Sequence, residues 1–238
     1  MPKAPPVILF DVNETLSDMS GLRTRFTDVA APAHLSALWF ATVLRDGFAL
    51  TAAGGQERFA VLGEHSLRAL LADVDLDRDV DEAVAHVVSG FAELDVHPDV
   101  VEGVRRLGAT GARLATLTNG STSVADALLT RAGIRGHFEA LLSVEDAGTW
   151  KPAPGSYAYA VSALGVQPGE IMLVAVHPWD TDGAARAGLR TAWINRMGSA
   201  FPPYFVPPEI TVPSLPRLAD ALDVFRDGAQ WGQESDRR

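Results

Sequence analysis

The chain has no cysteine among its 238 residues. Disulfides and thiolate chemistry are therefore excluded, and the composition suits a reducing compartment. No apolar run approaches the roughly 18 residues that a membrane-spanning helix needs. The stretch Val7-Ile8-Leu9-Phe10 is too short for a secretory h-region and runs straight into Asp11. Positive charge is scarce: 20 Lys and Arg face 30 Asp and Glu, a formal net charge of −10. Such a surface repels a phosphate backbone, so nucleic acid is not an expected partner. The same sign repels a small acid, which must then be captured by local positive groups. These absences lead to the expectation of a cytoplasmic protein without membrane attachment.

What is present is a rhythm. Short apolar runs end abruptly in polar residues: Val7 to Phe10 at Asp11, Ala112 to Leu117 at Thr118-Asn119-Gly120, Ile171 to Val176 at His177-Pro178, and Thr191 to Ile194 at Asn195-Arg196. Continuous apolar runs of this length fit strands buried on both faces. Between them, Val100 to Leu107, Val124 to Ala132 and Tyr157 to Leu164 show helical spacing, each with glycine where a helix C-terminus favours it. Strands alternating with helices predict an α/β fold built on an open parallel sheet.

Residues 17–97 break the rhythm. They hold no strand-like run but three helical patterns, Ala33 to Leu44, Gln56 to Leu71 and Asp79 to Leu94. The expected organisation is a core of residues 1–16 and 98–238 with an all-helical cap, 17–97, inserted after the first strand. The Pro-rich piece Phe201 to Pro216 reads as a long surface connection, and the polar tail Asp227 to Arg238 is expected to fray.

Ligands of open α/β sheets bind beyond the carboxyl ends of the strands. Asp11, Asn13, Thr15, Thr118, Asn119, His177 and Asp180 should therefore share one cleft. A carboxylate directly after a buried strand is a candidate nucleophile, able to divide a substitution into two steps through an ester. Lys151, if its ammonium approaches Asp11, keeps that carboxylate ionised; at ~4 Å and an effective dielectric near 20 the attraction is roughly 4 kcal/mol before desolvation. Asp180 or Asp182 is either the N-cap of the following helix or a carboxylate that orients or deprotonates the attacking water. His177 is either a neutral, singly hydrogen-bonded residue, a general base, or an anion donor. Tyr157 can orient Lys151 or the substrate. Phe40, Phe59, Trp39 and Trp179 are candidates for an apolar lining, and Thr118 with nearby amides for a carboxylate clamp.

The stretches Val7-Ile8-Leu9-Phe10-Asp11-Val12-Asn13-Glu14-Thr15-Leu16, Leu117-Thr118-Asn119-Gly120-Ser121, Trp150-Lys151-Pro152 and Trp179-Asp180-Thr181-Asp182-Gly183-Ala184 resemble, in order and spacing, the four motifs of the haloacid dehalogenase superfamily. Ala37-Leu38-Trp39, Leu142-Ser143-Val144, Tyr157 and Trp193-Ile194-Asn195-Arg196 are similar to the (S)-2-haloacid dehalogenase branch. The resemblance implies a Rossmann-like core and a helical cap. It implies hydrolysis of a small-molecule 2-haloacid by Asp11, with Thr15, Asn119, Lys151 and Asp180 as catalytic residues. Asn13, Phe40, Phe59, Thr118, Tyr157, His177 and Trp179 are the expected substrate-binding residues. No metal or other cofactor is implied, and a homodimer is.

Two positions separate the chain from the superfamily's phosphatases. Asn13 stands where their general acid is, and Val176 where an aspartate binds magnesium; neither can do that chemistry. Three positions depart from the dehalogenase pattern: Phe40 replaces a halide-holding arginine, His177 an asparagine, and Asn13 an aromatic residue. The alternatives are a divergent magnesium-dependent phosphatase, or a binding protein whose catalysis is impaired.

Overall fold

Strand β1 (Val7–Phe10) is buried on both faces, which is why it is apolar at every position. It lies in the middle of a six-stranded sheet in a computed structural model that describes residues 7–228. The other strands are β2 (Arg113–Thr118), β3 (Phe138–Ser143), β4 (Ile171–Ala175), β5 (Arg190–Ile194) and β6 (Ile210–Val212). Their order is β3-β2-β1-β4-β5-β6, and every pairing is parallel. This is the strand order of a Rossmann-like fold. The chain builds outward from β1 on one side, then returns to add β4 on the other. The resulting switch point lies at the carboxyl ends of β1 and β4, where Asp11 and His177 emerge.

Alternate side chains of each strand enter different cores. Ile8, Phe10, Met172 and Val174 pack with Val104 and Leu107 of α5 (Val100–Ala109), Leu128 of α6 (Thr122–Arg131) and Leu218 of α10 (Leu215–Gly228). Val7, Leu9 and Leu173 pack on the other face with Tyr157 and Leu164 of α8 (Pro154–Leu164) and Ala184 of α9 (Pro178–Arg186). Each fully buried aliphatic side chain contributes ~1.5–3 kcal/mol. The short helix α7 (Val144–Ala147) follows β3.

Between β1 and α5 the described chain forms four α-helices and no named strand: α1 (Leu22–Thr27), α2 (Leu35–Ala52), α3 (Phe59–Leu71) and α4 (Val80–Ala92). They share an apolar core of their own, with Phe26, Trp39, Val43, Leu67, Val87 and Phe91 at its centre. The two crossings to the sheet lie side by side. Ser17 bridges Val96, the Asp18 amide donates to the Asp95 carbonyl, and the His97 amide donates to that of Leu16.

Several elements differ from the sequence reading. Helix α2 runs on past Leu44 through Gly47 to Ala52, because Trp150 packs where a side chain at 47 would stand. The short α1 lacks enough turns to show a period. Within the Pro-rich piece 201–216 lies β6, correcting its reading as connection alone; the prolines flank an edge strand rather than interrupt it. Strand β3, with Glu139 exposed at the sheet edge, carries no uniform apolar run. Of the polar tail, Asp227 and Gly228 continue α10, and the fraying expected beyond them falls outside the described residues. Among the described residues no helix is long and apolar enough to cross a membrane.

Candidate active site

Asp11 follows β1 directly, and its amide still donates to the Val174 carbonyl, so the residue is fixed to the sheet. Its side chain is 4% exposed. Oδ1 accepts a 2.8 Å hydrogen bond from Lys151 Nζ. Oδ2 accepts from the Thr15 hydroxyl at 2.6 Å and lies 3.2 Å from His177 Nδ1. Thr15 Oγ1 in turn accepts from the Val176 amide, tying the loop after β1 to the end of β4. Burial alone would raise the Asp11 pKa, but the Lys151 and His177 charges and hydrogen bonds overcome it and hold the carboxyl well below the usual range. Asp11 is an ionised, aimed carboxylate at neutral pH.

Lys151 is 0% exposed and spans two carboxylates, with Nζ also 2.6 Å from Asp180 Oδ2. Burial works to deprotonate it; the two carboxylates prevail and raise its pKa. Asn119 brackets its backbone, accepting from the Lys151 amide at 3.0 Å and donating to its carbonyl at 3.4 Å. Asn119 therefore positions the lysine. The Tyr157 hydroxyl donates to Asp180 Oδ1 at 2.7 Å. Tyr157 is fully buried, and its hydroxyl holds Asp180. Burial, then Asp11, push the Asp180 pKa up against the pull of Lys151.

The N-cap of α9 is His177 rather than Asp180, so the capping role considered for Asp180 does not hold. Asp182, the alternative, instead pairs with Arg186 and accepts from the Val206 amide, anchoring the loop after β5. The chain approaches α9 closely: a Cβ on Gly183 would lie 2.6 Å from Pro152 Cβ and 2.7 Å from the Tyr157 hydroxyl.

His177 has a partner on each ring nitrogen: Asp11 Oδ2 on Nδ1, and Glu14 Oε2 at 2.8 Å on Nε2. Two carboxylate acceptors require two N–H donors, so the ring is an imidazolium. Burial opposes that charge, but the hydrogen bonds to Asp11 and Glu14 prevail and push its pKa up to about 9. The singly bonded, neutral histidine considered from sequence is therefore replaced by a cation. It stacks on Trp179, with ring centroids 4.9 Å apart, and Phe40 approaches it from the helical layer at 6.4 Å. Phe40 also touches Phe59, which stacks on Trp150. Trp39 does not join this lining. It points into the helical layer's own core and donates to the Gly63 carbonyl.

Thr118 accepts from the Gly120 amide at the end of β2. The buried Asn13 amide group stands beside Gly120, its nitrogen 3.8 Å from where a Cβ there would lie. A cavity of about 10 Å³ reaches Asn13 between the two layers, lined also by Ser17, Phe91, Leu94 and Arg131. That is room for at most a single water.

The structure thus gathers Asp11, Thr15, Asn119, Lys151, Tyr157, His177 and Asp180 in one hydrogen-bonded cluster, with Phe40, Phe59 and Trp179 over it and Asn13 and Thr118 beside it. Sequence reasoning missed Glu14, although it stands inside the first motif. Its carboxylate reaches His177 from a left-handed backbone, φ 61°, which no sequence pattern announces for glutamate.

A family model described as haloacid dehalogenase-like hydrolase matches residues 5–188. The (S)-2-haloacid dehalogenase of Pseudomonas sp. (strain YL) is 31% identical over 228 residues, 94% of this chain and 97% of that protein. The haloacetate dehalogenase H-2 of Moraxella sp. (strain B) is 31% identical over 190 residues, 80% of this chain and 84% of its own length. A crystal structure of a dehalogenase, 30% identical, superposes with a TM-score of 0.85 over 93% of this chain and 98% of the other. With four motif segments converging on one buried cluster and a family model spanning most of the fold, the chain belongs to the haloacid dehalogenase-like hydrolases.

Proposed function

We propose that this protein hydrolyses the carbon–halogen bond of short 2-haloacids through an ester on Asp11, without a metal, with residues 17–97 as the cap over the reaction. One observation carries the reading. The buried Lys151 ammonium lies between Asp11 and Asp180, leaving Asp11 ionised with both oxygens held at the switch point of the sheet. The dehalogenase relatives, named for haloacetate and (S)-2-haloacid chemistry, support the same substrate class.

In the first step an Asp11 oxygen attacks C2 of the substrate from the face opposite the halogen. The carbon–halogen bond breaks and the halide leaves with the electron pair, inverting C2. The leaving anion needs a donor, and Phe40 supplies only a weakly positive ring edge. The His177 imidazolium directly beneath Phe40 supplies the missing charge. Asn13 and Thr118 are placed to hold the substrate carboxylate, and Phe40, Phe59 and Trp179 exclude water and limit size.

Forming the ester removes the Asp11 charge that helps raise the His177 pKa. The ring becomes more acidic at the moment the second step needs a base. The imidazolium gives up its Nδ1 proton to solvent as the halide departs; water then attacks Cγ of Asp11, one of its protons passes to the neutral His177, and as the ester C–O bond breaks the other passes to the leaving alkoxide oxygen, releasing the 2-hydroxyacid. Asp11 returns with one oxygen from water. Lys151 neutralises charge at the carboxyl group throughout.

The carboxylates around Asp11 are occupied by ammonium, imidazolium and hydroxyl donors, which supports chemistry without a cation. Asn13 cannot donate an acidic proton, which favours carbon over phosphorus. The test is incubation with (S)-2-chloropropionate in metal-free buffer, reading halide, lactate configuration, and label in the Asp11 peptide after a single turnover in oxygen-18 water. Halide, (R)-lactate and a labelled peptide are expected. Absence of halide from chloro-, bromo- and fluoro-acids, or magnesium-dependent hydrolysis of p-nitrophenyl phosphate lost in Asp11→Asn, overturns the assignment.

A further inference from the structure

Glu14 holds the outer nitrogen of His177 from a backbone conformation that L-residues avoid, at a cost on the order of 1–2 kcal/mol. A strained residue persists only when its surroundings over-determine it. Here the surroundings are specific. The Glu14 carbonyl accepts from His97 Nε2 at 2.9 Å and from Arg196 Nη1 at 3.5 Å. The neighbouring Thr15 carbonyl accepts from Arg196 Nη2 at 3.0 Å. The Glu14 amide donates to the Ser17 hydroxyl at 3.3 Å. Arg196 is itself fixed by Asp99, with Nε on Oδ1 at 3.0 Å and Nη2 on Oδ2 at 3.2 Å. Asp99 also accepts from the Leu215 amide at the start of α10. The guanidinium fork thus ties the end of β5 and the start of α10 to the two peptide groups that follow Asn13.

From this geometry we infer that Arg196 is a positioning residue: it grips the Glu14 and Thr15 carbonyls and so keeps the Glu14 carboxylate on His177. The inference rests on the proposed role of His177, but its physical content is independent of any substrate. Lysine at this position has one ammonium and lacks the planar fork that reaches two carbonyls and a carboxylate together. The hydrogen bonds of Arg196 run to Asp99, Glu14 and Thr15 and none to Asp11, so it acts through Glu14.

The charged groups that face the His177 ring are Asp11 and Glu14. Lys151 and Asp180 stand behind Asp11, and Arg196 makes no hydrogen bond to the ring. That arrangement gives the test an unambiguous sign. Deleting a nearby positive charge and nothing else raises a histidine pKa. Releasing Glu14 from the ring lowers it. In Arg196→Gln, measured without substrate by nitrogen-15 NMR of the labelled imidazole, the His177 titration should move down by about one pH unit, a tenfold change in its protonation equilibrium. Glu14→Gln should move it down similarly, and the double variant should match Glu14→Gln alone.

A His177 titration in Arg196→Gln that is unchanged or moves up overturns the inference, as does an additive double variant. Should Arg196→Gln not fold, Arg196→Lys gives the same reading: a fall in the titration supports the fork, and an unchanged one refutes it. Halide release by the wild-type protein decides the dehalogenase reading separately. A protein that releases no halide yet shows the NMR coupling sinks that reading and leaves the Arg196–Glu14 link standing.

Discussion

Raising the pH from 6 to 9.5 should weaken the fold through one imidazole. The folded pKa of His177 is about 9 against an ordinary 6.5, because its hydrogen bonds to Asp11 and Glu14 outweigh the opposing effect of burial. The folded state therefore binds the proton more tightly than the unfolded chain. The stability this supplies is complete below pH 6.5, declines as pH rises, and is gone above about 9. The interval of roughly 2.5 units, at ~1.4 kcal/mol per unit, corresponds to ~3 kcal/mol. The side chain is only 12% exposed, so solvent screening removes little of it. Urea denaturation of wild type and His177→Asn at pH 6 and 9.5 isolates the effect, since other titrations are common to both proteins. Wild type should lose ~3 kcal/mol more than the variant across this range. Equal losses in the two proteins would show that the ring carries no extra proton in the folded state, and both the halide-donor role and the base switch would fall with it.

Other perturbations test the remaining parts of the cluster. Lys151→Met leaves Asp180 buried without a cation and Asp11 with His177 alone, and should cost ~3–5 kcal/mol at pH 7.5 in a urea titration. Because a carboxylate so stranded has its folded pKa raised, the deficit should shrink as pH falls and one of the pair takes up a proton; a loss under ~1 kcal/mol, or one independent of pH, refutes the arrangement. Gly183→Ala drives a methyl into Pro152 and the Tyr157 hydroxyl. It should destabilise by ~1–3 kcal/mol in thermal melts and slow turnover by shifting Lys151, while an unchanged Tm would refute the close approach.

The architecture was legible where a strand is buried on both faces. Val7 to Phe10 and Ile171 to Ala175 are apolar throughout, and their polar termini announce the cleft. Asp11, Asn119 and Asp180 could be grouped because parallel topology forces strand ends together, whatever their separation in sequence; Lys151, on a helix-to-helix connection, joined them through the resemblance of its motif. Strand β6 was illegible because three residues show no period and prolines flank them. Glu14, His97 and Arg196 escaped for another reason. Three of their contacts run to backbone carbonyls, and a carbonyl accepts the same bonds whichever residue owns it. The charge state of His177 was equally hidden, since it depends on a second carboxylate brought in by an unusual φ angle.

Trp150 has a consequence for how substrate arrives. It precedes Lys151, yet its indole belongs to the helical layer: it lies against Gly47, donates to the Glu57 carbonyl, and stacks on Phe59, while its amide donates to Thr51. Swinging that layer away as a hinged door would extract the indole, at ~3–5 kcal/mol for a side chain of this size, and drag the neighbouring ammonium off Asp11. The indole therefore locks the lysine loop to the helical layer, so any displacement of that layer that leaves the indole seated keeps the ammonium in register with Asp11.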